Sequence, residues 1–200
     1  MKKPPRIYLA RHCKTQWNLE NRVQGTKDVP LSDEGRVEAQ ANISKIQNLG
    51  IDRVVSSNLT RAHETARIYA DQLAVTLLIS PELRELDLGH WEGKTSDELL
   101  NDPTCLYRQW LEDPASVSVP GSSESVIVAQ RRIVEAMKDI AFRYRDEKVL
   151  VIAHKFIRAV LQCALLDVDL GHFRKHIDES TDPMKVPIEQ IQQICEMKNQ

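Results

Sequence analysis

The chain has 200 residues, of which 42% are hydrophobic and 28% are charged, and its formal net charge is -2. This length suits one domain with a sizeable core, and the composition is that of an ordinary globular protein. The slight negative charge excludes a general electrostatic attraction to nucleic acid or to an acidic membrane, so any anion must be bound by a local cluster of cations.

The cysteines are far apart in the chain and form no CxxC pair; they are Cys13, Cys105, Cys163 and Cys195. The N-terminus has no signal-like sequence, and apolar runs such as Val149–Ala153 are far too short to cross a bilayer. These features favour a reducing compartment, so we expect a cytoplasmic protein with no membrane partner.

The first part of the chain reads as a strand followed by a helix. Arg6–Ala10 is short and apolar, which is typical of a buried strand, and polar, turn-prone residues occupy Asn18–Pro30. Ser32 can cap a helix that Gly50 ends. One face of this predicted helix carries Ala39, Ile43, Ile46 and Leu49.

The next part repeats this alternation. Arg53–Ser56 and Val75–Ile79 are predicted strands. The helix between them has apolar residues at i, i+4, i+7 and i+11. These residues are Ala62, Ala66, Tyr69 and Leu73.

The regular pattern degrades between Lys94 and Ser123, where Pro, Ser and Asp accumulate. We predict an inserted lid with short helices at about residues 94–123, within a single domain that spans residues 1–200. Ser122 or Ser123 is expected to begin a long helix. Its apolar face carries Val126, Ile133, Met137, Ile140 and Ala141.

Val149–Ala153 is the most strand-like run and is typical of a central parallel strand. A helix follows, with Ile157, Val160, Leu161, Ala164 and Leu165 on one face. Met184–Gln200 suits either a helix or an irregular edge strand. The alternation of strand and helix predicts an α/β fold with a mostly parallel central sheet.

Polar residues follow three of the predicted strands. Arg11 and His12 come directly after the first strand, Arg61 lies just past the second, and His154 ends the run VLVIAH. In open α/β sheets, ligands bind beyond the carboxyl ends of the strands. We therefore expect these two arginines and two histidines to meet in one cleft.

Such a cleft suits a phosphoryl group. Arginine offers paired donors to phosphate oxygens and keeps its charge, and helix N-termini after the strands would add backbone N–H donors. A neutral histidine can attack phosphorus as a nucleophile. Nearby cations disfavour the imidazolium, so we expect the pKa of His12 to be lowered.

A leaving alkoxide needs a proton. The stretch Pro81–Gly93, PELRELDLGHWEG, supplies several carboxylates at the end of the third predicted strand. A carboxylate beside a bound phosphate can act as a general acid and then as a base on water.

Five segments resemble, in order, the successive signatures of the histidine phosphatase superfamily, the phosphoglycerate mutase-like proteins. They are RH with TQWN after it, VQGTKDVPLSDEG, SSNLTRAHETA, LRELDLGHWEG and the VIAH ending, and they cover the chain from about Arg6 to Leu166. One such motif is weak, whereas five in order are a specific signal. The resemblance implies a central sheet with helices on both faces.

The resemblance also implies a role for individual residues. His12 would be the phosphorylated nucleophile. Glu85 would be the proton donor, preferred over Glu82 and Glu92 because it fits the pattern L-x-E-x-x-x-G-x-W-E-G. The residues implied to hold the phosphoryl group or the substrate are Arg11, Thr15, Asn18, Gly25, Arg61 and His154.

Two positions depart from the family pattern. Cys13 stands where glycine or alanine usually follows the nucleophile, and Lys155-Phe156 stand where glycines usually follow the last histidine. Those glycines let the backbone approach the phosphate closely. The bulkier residues either narrow the pocket or, through Lys155, add a cation to it.

Cys13 also raises the alternative of a cysteine phosphatase, which needs an arginine six residues after the cysteine. That position is Leu19, and no other cysteine has an arginine at this spacing. We interpret Cys13 as a small, semi-buried apolar residue. A second hypothesis is that Arg11 lowers the pKa of Cys13 and makes the activity sensitive to oxidants.

The charge of the predicted lid bears on the reaction. A mutase must hold a second anionic group, yet residues 94–123 contain only Lys94 and Arg108 as cations, against five acidic residues. We therefore predict a phosphatase that hydrolyses a phosphate monoester of a small phosphorylated metabolite, with no cofactor, no metal and no nucleic-acid partner. Phosphoglycerate mutase-type transfer and non-catalytic binding of a phospho-ligand are the alternatives.

Overall fold

The computed structural model describes residues 6–197, except for the side chains of residues 192, 193 and 195–197. Its strands are β1 (Arg6–Arg11), β2 (Arg53–Ser56), β3 (Thr76–Ile79), β4 (Lys148–Ala153) and β5 (Met184–Val186). They form one sheet in the order β3-β2-β4-β1-β5. The first four strands are parallel, and β5 pairs antiparallel with β1 at one edge. The predicted, mostly parallel sheet is confirmed.

The α-helices within the described residues are α1 (Gln16–Leu19), α2 (Asp33–Gln47), α3 (Thr60–Leu73), α4 (Ser96–Asn101), α5 (Tyr107–Glu112), α6 (Val126–Arg143), α7 (Lys155–Leu166) and α8 (Ile188–Met197). Short 3-10 segments cover Pro81–Leu83, Gly89–Trp91 and Leu170–His176. No helix in this part of the chain combines the length and the apolar character that crossing a bilayer requires.

The central strand β4 is buried on both faces of the sheet. Val149 and Val151 pack with α6, α7 and α8 on one face, while Leu150 and Ile152 pack with α2 and α3 on the other. This alternation follows from the two-residue period of a strand. Helices on both faces confirm the predicted architecture.

The first long helix begins where the sequence predicts. The hydroxyl of Ser32 accepts a hydrogen bond from the backbone N–H of Gly35, and α2 starts at Asp33. Gly50, three residues past the helix end, has a φ of +63° that suits glycine. The predicted turn-prone stretch Asn18–Pro30 is wrong in one detail. Its first two residues belong to α1, which occupies Gln16–Leu19.

The predicted start of the helix after the lid is also wrong. The helix α6 is capped by Ser125 and not by Ser122 or Ser123. The hydroxyl of Ser122 donates to the backbone oxygen of Asp87, at 2.9 Å, and the N–H and hydroxyl of Ser123 both bind the Asp87 carboxylate, at 2.6 Å. These two serines therefore fasten the chain to the stretch after β3 and cannot cap a helix.

Two short helices, α4 and α5, occur in the segment predicted as a lid. Trp110 of α5 is fully buried and contacts the rings of Trp91, Tyr107, Phe156 and Phe173 at centroid distances of 5.5–5.9 Å. Such aromatic pairs stabilise packing beyond the area that they bury. The cluster fixes this segment against α7, and its role as a lid stays a prediction.

The C-terminal stretch Met184–Gln200, for which the sequence allowed either a helix or an edge strand, contains one of each. β5 lies at the sheet edge, and α8 follows it with Ile188 and Ile191 buried. Residues 198–200 of the predicted stretch lie outside the described residues.

Candidate active site

A cavity of about 580 Å³ opens beyond the carboxyl ends of the parallel strands. Seven of the predicted site residues line it: Arg11, His12, Asn18, Gly25, Arg61, Glu85 and Lys155. Thr15 and His154 are fully buried and lie behind this lining. The strand ends thus bring together residues that are up to 144 positions apart, from Arg11 to Lys155.

The ring of His12 is held in one orientation. Its backbone N–H donates to the carbonyl of Ala153 at 3.0 Å, which extends the pairing of β1 with β4. Its Nδ1 lies 2.7 Å from the carbonyl oxygen of Cys13, and because a carbonyl only accepts, Nδ1 carries the ring proton. The Nε of Arg61 donates to the other ring nitrogen, Nε2, at 3.3 Å. The lone pair of His12 is therefore on Nε2.

His12 is neutral at neutral pH. Burial, and then the charges of Arg61 and Arg11, lower its pKa well below the ordinary value of 6.5. The hydrogen bond to the Cys13 carbonyl acts in the opposite direction but does not cancel this shift. The predicted direction is confirmed, although burial contributes more than the arginines from which it was argued.

Arg61 lies in the first turn of α3 and is 1% exposed. Besides its bond to His12, it donates to the backbone oxygens of Lys27, at 2.8 Å, and Gly25, at 2.7 Å. Burial lowers the pKa of Arg61 to about 10, so it keeps its charge at neutral pH. Two of its five N–H donors remain for a ligand.

His154 packs against the His12 ring at a centroid distance of 5.2 Å. Ser57 accepts a hydrogen bond from the N–H of Leu59, so its hydroxyl proton is free for the Nε2 of His154, 2.8 Å away. The Nδ1 of His154 carries the ring proton when Ser57 donates this hydrogen bond. It is buried and has no hydrogen-bond partner among the described residues. Buried polar atoms are normally paired, so this nitrogen is an exception that a ligand could satisfy.

Burial lowers the pKa of His154 well below 6.5, and the charges of Arg61 and of protonated His12 act in the same direction. Like His12, it is neutral at neutral pH. Ser57 was missed by the sequence prediction, although it lies within the SSNLTRAHETA motif.

Glu85 is 5% exposed and is held by three backbone N–H groups. Its Oε1 accepts from Leu86 and Ile157, both at 2.9 Å, and its Oε2 accepts from Phe156 at 3.0 Å. Two of these donors belong to the first turn of α7. Glu85 therefore takes up two of the backbone N–H groups at this helix end, and the expectation that helix N-termini donate to a phosphoryl group stays a prediction.

The other two candidate proton donors lie elsewhere. Glu92 accepts from the N–H groups of Thr26, at 2.7 Å, and Leu88, at 3.1 Å, and so fastens the loop that carries Gly25. Glu82 has a side chain that is 59% exposed. Neither lines the cavity, whereas Glu85 does.

The loop after His12 is shaped by Thr15, Asn18 and Gly25. Thr15 caps α1, and its N–H and hydroxyl both donate to the Oδ1 of Asn18, at 3.0 and 3.1 Å. This leaves the amide Nδ2 of Asn18 as its donor toward the cavity. Gly25 has a φ of +52°, and a Cβ there would collide with the carboxylate of Glu92. Thr15 thus positions Asn18, and Gly25 permits the turn.

Arg11 and Lys155 share one carboxylate that the sequence prediction missed. The Nη1 of Arg11 donates to the Oε2 of Glu179 at 2.6 Å and to its backbone oxygen at 3.1 Å. The Nζ of Lys155 donates to the Oε1 of Glu179 at 2.9 Å. Partial burial acts to raise the pKa of Glu179, but the hydrogen bond from Lys155 and the charge of Arg11 lower it by more. The positive charge that Lys155 adds to the cavity is thus paired with the negative charge of Glu179.

The outer wall of the cavity includes residues that no motif indicated. Within segment 94–123, only Ser96 and Tyr107 line the cavity, and the five acidic residues of this segment do not. These acidic residues do not face the cavity, so their charge gives no reason to exclude a second anion there. Arg174 lines the cavity, lies over the ring of Trp110 at 5.1 Å, and has no carboxylate within salt-bridge distance among the described residues.

Cys13 is fully buried, and its Sγ lies 3.6 Å from the hydroxyl of Tyr69. Burial raises the pKa of Cys13 to about 11. The hypothesis that Arg11 lowers the pKa of Cys13 is therefore wrong. The interpretation of Cys13 as a small packed residue holds, except that the side chain is fully buried and not semi-buried.

The charges of the cavity favour an anion. Its lining contains six cationic side chains and three carboxylates, which are those of Glu38, Glu85 and Glu179. Across residues 6–197, where side chains are described, no three His, Cys, Asp or Glu residues are grouped as metal ligands. A net positive lining raises the local concentration of anionic ligands.

Residues 7–196 match the family model of the histidine phosphatase superfamily (branch 1). Because the match extends over almost the whole chain, the protein belongs to the histidine phosphatase superfamily. The resemblance of its five motifs to that family is confirmed.

The relatives include mutase-like proteins and phosphatases. The probable phosphoglycerate mutase GpmB of Enterobacter sp. (strain 638) is 31% identical over 160 residues, which are 80% of this chain and 74% of the relative. Phosphoserine phosphatase 1 of Hydrogenobacter thermophilus is 29% identical over 168 residues, 84% of this chain and 79% of the relative. Among solved structures, mycobacterial glucosyl-3-phosphoglycerate phosphatase with VO3 superposes with a TM-score of 0.81 at 25% identity, covering 91% of this chain and 90% of that one.

Proposed function

We propose that the protein is a phosphatase that hydrolyses a phosphate monoester of a small metabolite through a phosphohistidine intermediate on His12. The observation that carries this proposal is the neutral imidazole of His12, with its lone pair on Nε2 next to the buried charge of Arg61. A nucleophile needs its lone pair, and a developing phosphoryl transition state needs cations around it.

In the first step, the Nε2 of His12 attacks phosphorus and the bond to the leaving oxygen breaks. The Nδ1–H of His154, the free N–H groups of Arg61 and the unpaired Nε of Arg11 would hold the phosphoryl oxygens. The amide of Asn18 would complete this set of donors. Such donors stabilise charge most strongly when they are fixed and desolvated in advance.

Glu85 would move the protons. Its Oε2 accepts only one backbone hydrogen bond while Oε1 accepts two, so Oε2 is the oxygen with capacity to hold a proton. We propose that it protonates the leaving oxygen and then takes a proton from the water that attacks the phosphohistidine. The products are the alcohol and inorganic phosphate, and His12 is restored.

The cations of the cavity supply the positive charge for this chemistry, so we expect the rate to be independent of added metal and unchanged by a chelator. Strong activation by magnesium or zinc would contradict the mechanism.

The cytoplasmic location predicted from the separated cysteines stays a prediction. It is supported by Cys13, Cys105 and Cys163, which form no disulfide.

Mutase-type phosphoryl transfer is the second candidate. It is favoured by the 31% identity to the probable phosphoglycerate mutase and by Arg174, a cation at the outer wall available to a second anion. Incubation with 3-phosphoglycerate, followed by ³¹P NMR, separates the two reactions. A phosphatase releases inorganic phosphate, whereas isomerisation that outpaces release would overturn the present proposal.

The direct test compares wild type with His12→Ala on p-nitrophenyl phosphate. We expect the rate of the variant to fall roughly 10³-fold or more, because the nucleophile is gone. His172→Ala is the matched control, since the His172 side chain is 55% exposed and does not line the cavity. Equal rates for wild type and His12→Ala would remove the catalytic claim and leave a non-catalytic phospho-ligand-binding protein.

A further inference from the structure

One carboxylate binds two of the cations that line the cavity. Glu179 accepts from Arg11 through Oε2 and its backbone oxygen, and from Lys155 through Oε1. Arg11 is nearly buried, with 8% of its side chain exposed, whereas 65% of the Glu179 side chain is exposed. The carboxylate therefore lies at the mouth of the cavity and the guanidinium on its floor.

The segment that carries Glu179 is fixed on both sides of this residue. Arg158, whose side chain is 3% exposed, donates to the backbone oxygen of Ser180 at 2.7 Å and to the carboxylate of Asp178 at 3.2 Å. On the other side, Asn42 donates to the hydroxyl of Thr181 at 2.9 Å. These anchors come from α7 and α2. Glu179 thus stays beside the cavity when a ligand enters and does not swing away with a free loop.

Arg11 can hold Glu179 and a phosphoryl group at the same time. Glu179 uses only Nη1, while the Nε of Arg11 is buried and has no hydrogen-bond partner among the described residues. A guanidinium has five N–H donors in a rigid fork, so its two edges can bind two different anions. The phosphoryl group therefore enters with the negative charge of Glu179 still present.

We propose that Glu179 is a built-in counter-anion that limits how tightly the cavity binds phosphate, and so determines affinity for substrate and product. This inference rests on the proposed phosphate-binding role of the cavity. The negative charge of Glu179 repels any anion that Arg11 binds at the same time, and a phosphate dianion doubles the repulsion. Removing the charge of Glu179 should therefore strengthen the binding of phosphate roughly tenfold.

The test is the dissociation constant of inorganic phosphate, measured by calorimetry for wild type and Glu179→Gln. We expect the variant to bind phosphate roughly tenfold more tightly, and the difference to shrink as salt is raised, because screening weakens charge repulsion. The Michaelis constant for p-nitrophenyl phosphate should fall in parallel. Glu179→Asp, which keeps the charge, should stay close to wild type.

Asp182→Asn is the matched control in the same segment. Asp182 pairs with Lys45 at 2.7 Å, both side chains are about 60% exposed, and neither residue lines the cavity. We expect it to leave phosphate binding unchanged. Unchanged or weaker phosphate binding by Glu179→Gln, or equal tightening by Asp182→Asn, would overturn the inference.

The failure of this inference and that of the proposed function are distinguishable. Tighter phosphate binding by Glu179→Gln together with an active His12→Ala variant would reject the mechanism but keep the counter-anion. An inactive His12→Ala variant together with unchanged phosphate binding by Glu179→Gln would keep the mechanism but reject the counter-anion.

Discussion

The floor and the outer wall of the cavity differ in how they are built. His12 and Arg61, on the floor, are 4% and 1% exposed, and each is oriented by backbone groups as well as by the other. Tyr107, Arg174 and Glu179, on the outer wall, come from segments outside the parallel strands and the turns that follow them. This difference suits the proposed function, in which the residues at the strand ends would carry the phosphoryl chemistry and the surrounding segments would select the ligand.

Replacing Glu85 by glutamine tests the floor most severely. If Glu85 protonates the leaving oxygen, kcat for an alkyl phosphate should fall roughly 10²- to 10⁴-fold. The loss should be much smaller for p-nitrophenyl phosphate, whose leaving group departs without a proton. Steady-state rates on both esters measure this difference. Glu82→Gln, outside the cavity, is the control, and an equal loss on both esters would count against the proton donor.

Arg61→Lys keeps a positive charge on the floor but removes the fork of donors. We expect kcat/KM to fall roughly 10²-fold, because an ammonium cannot contact His12, Gly25 and Lys27 together while also holding a phosphoryl oxygen. Arg67→Lys, at a 70% exposed position of the same helix, should be silent. If the lysine variant kept wild-type activity, charge alone would suffice at this position.

Arg174→Gln tests the outer wall and should have a smaller, ligand-dependent effect. We expect KM for 3-phosphoglycerate to rise roughly tenfold, and KM for glycerol 3-phosphate, which lacks the carboxylate, to stay the same. Kinetics with both esters measure this selectivity, with Lys175→Gln as the neighbouring control. An equal change for both esters would show that Arg174 does not distinguish ligands.

The burial of the floor predicts a modest loss of stability in acid. Since the folded-state pKa values of His12 and His154 lie well below 6.5, the unfolded chain binds protons that the folded protein does not. The contribution of these two histidines to the free energy of unfolding is fully present above pH 6.5 and falls as the pH is lowered. The loss is about 1 kcal/mol per histidine at one pH unit below 6.5. Urea unfolding at pH 7.5 and 5.5 measures this loss, which His12→Asn should reduce. An identical pH dependence in both proteins would mean that His12 is solvated.

The sequence was sufficient to predict the four parallel strands and the convergence of Arg11, His12, Arg61 and His154 at their ends. The apolar runs that end at Arg11 and His154 are local signals, and the carboxyl ends of parallel strands necessarily share one edge of a sheet. The start of α6 was predicted wrongly, because Ser122 and Ser123 bind Asp87, and such a long-range hydrogen bond leaves no trace in local spacing.

The residues of the outer wall had no comparable signal in the sequence. Arg174 and Glu179 lie between α7 and β5, in a segment whose sequence has neither strand nor helix periodicity. They line the cavity because of the path that this segment takes from α7 to β5. The acidic residues of the predicted lid were misjudged for the same reason, since composition does not say which side chains face a cavity. Burial was also underestimated as the cause of the neutral state of His12, because it depends on packing from several elements.

The most direct test of the mechanism is to trap the phosphorylated intermediate. The protein is mixed with a ³²P-labelled phosphate monoester and quenched rapidly, and the labelled peptide is identified. We predict that the label is on the peptide containing His12, is stable in base and is lost in acid, as expected for a phosphoramidate. An acid-stable label, or a label on any other residue, would contradict the account.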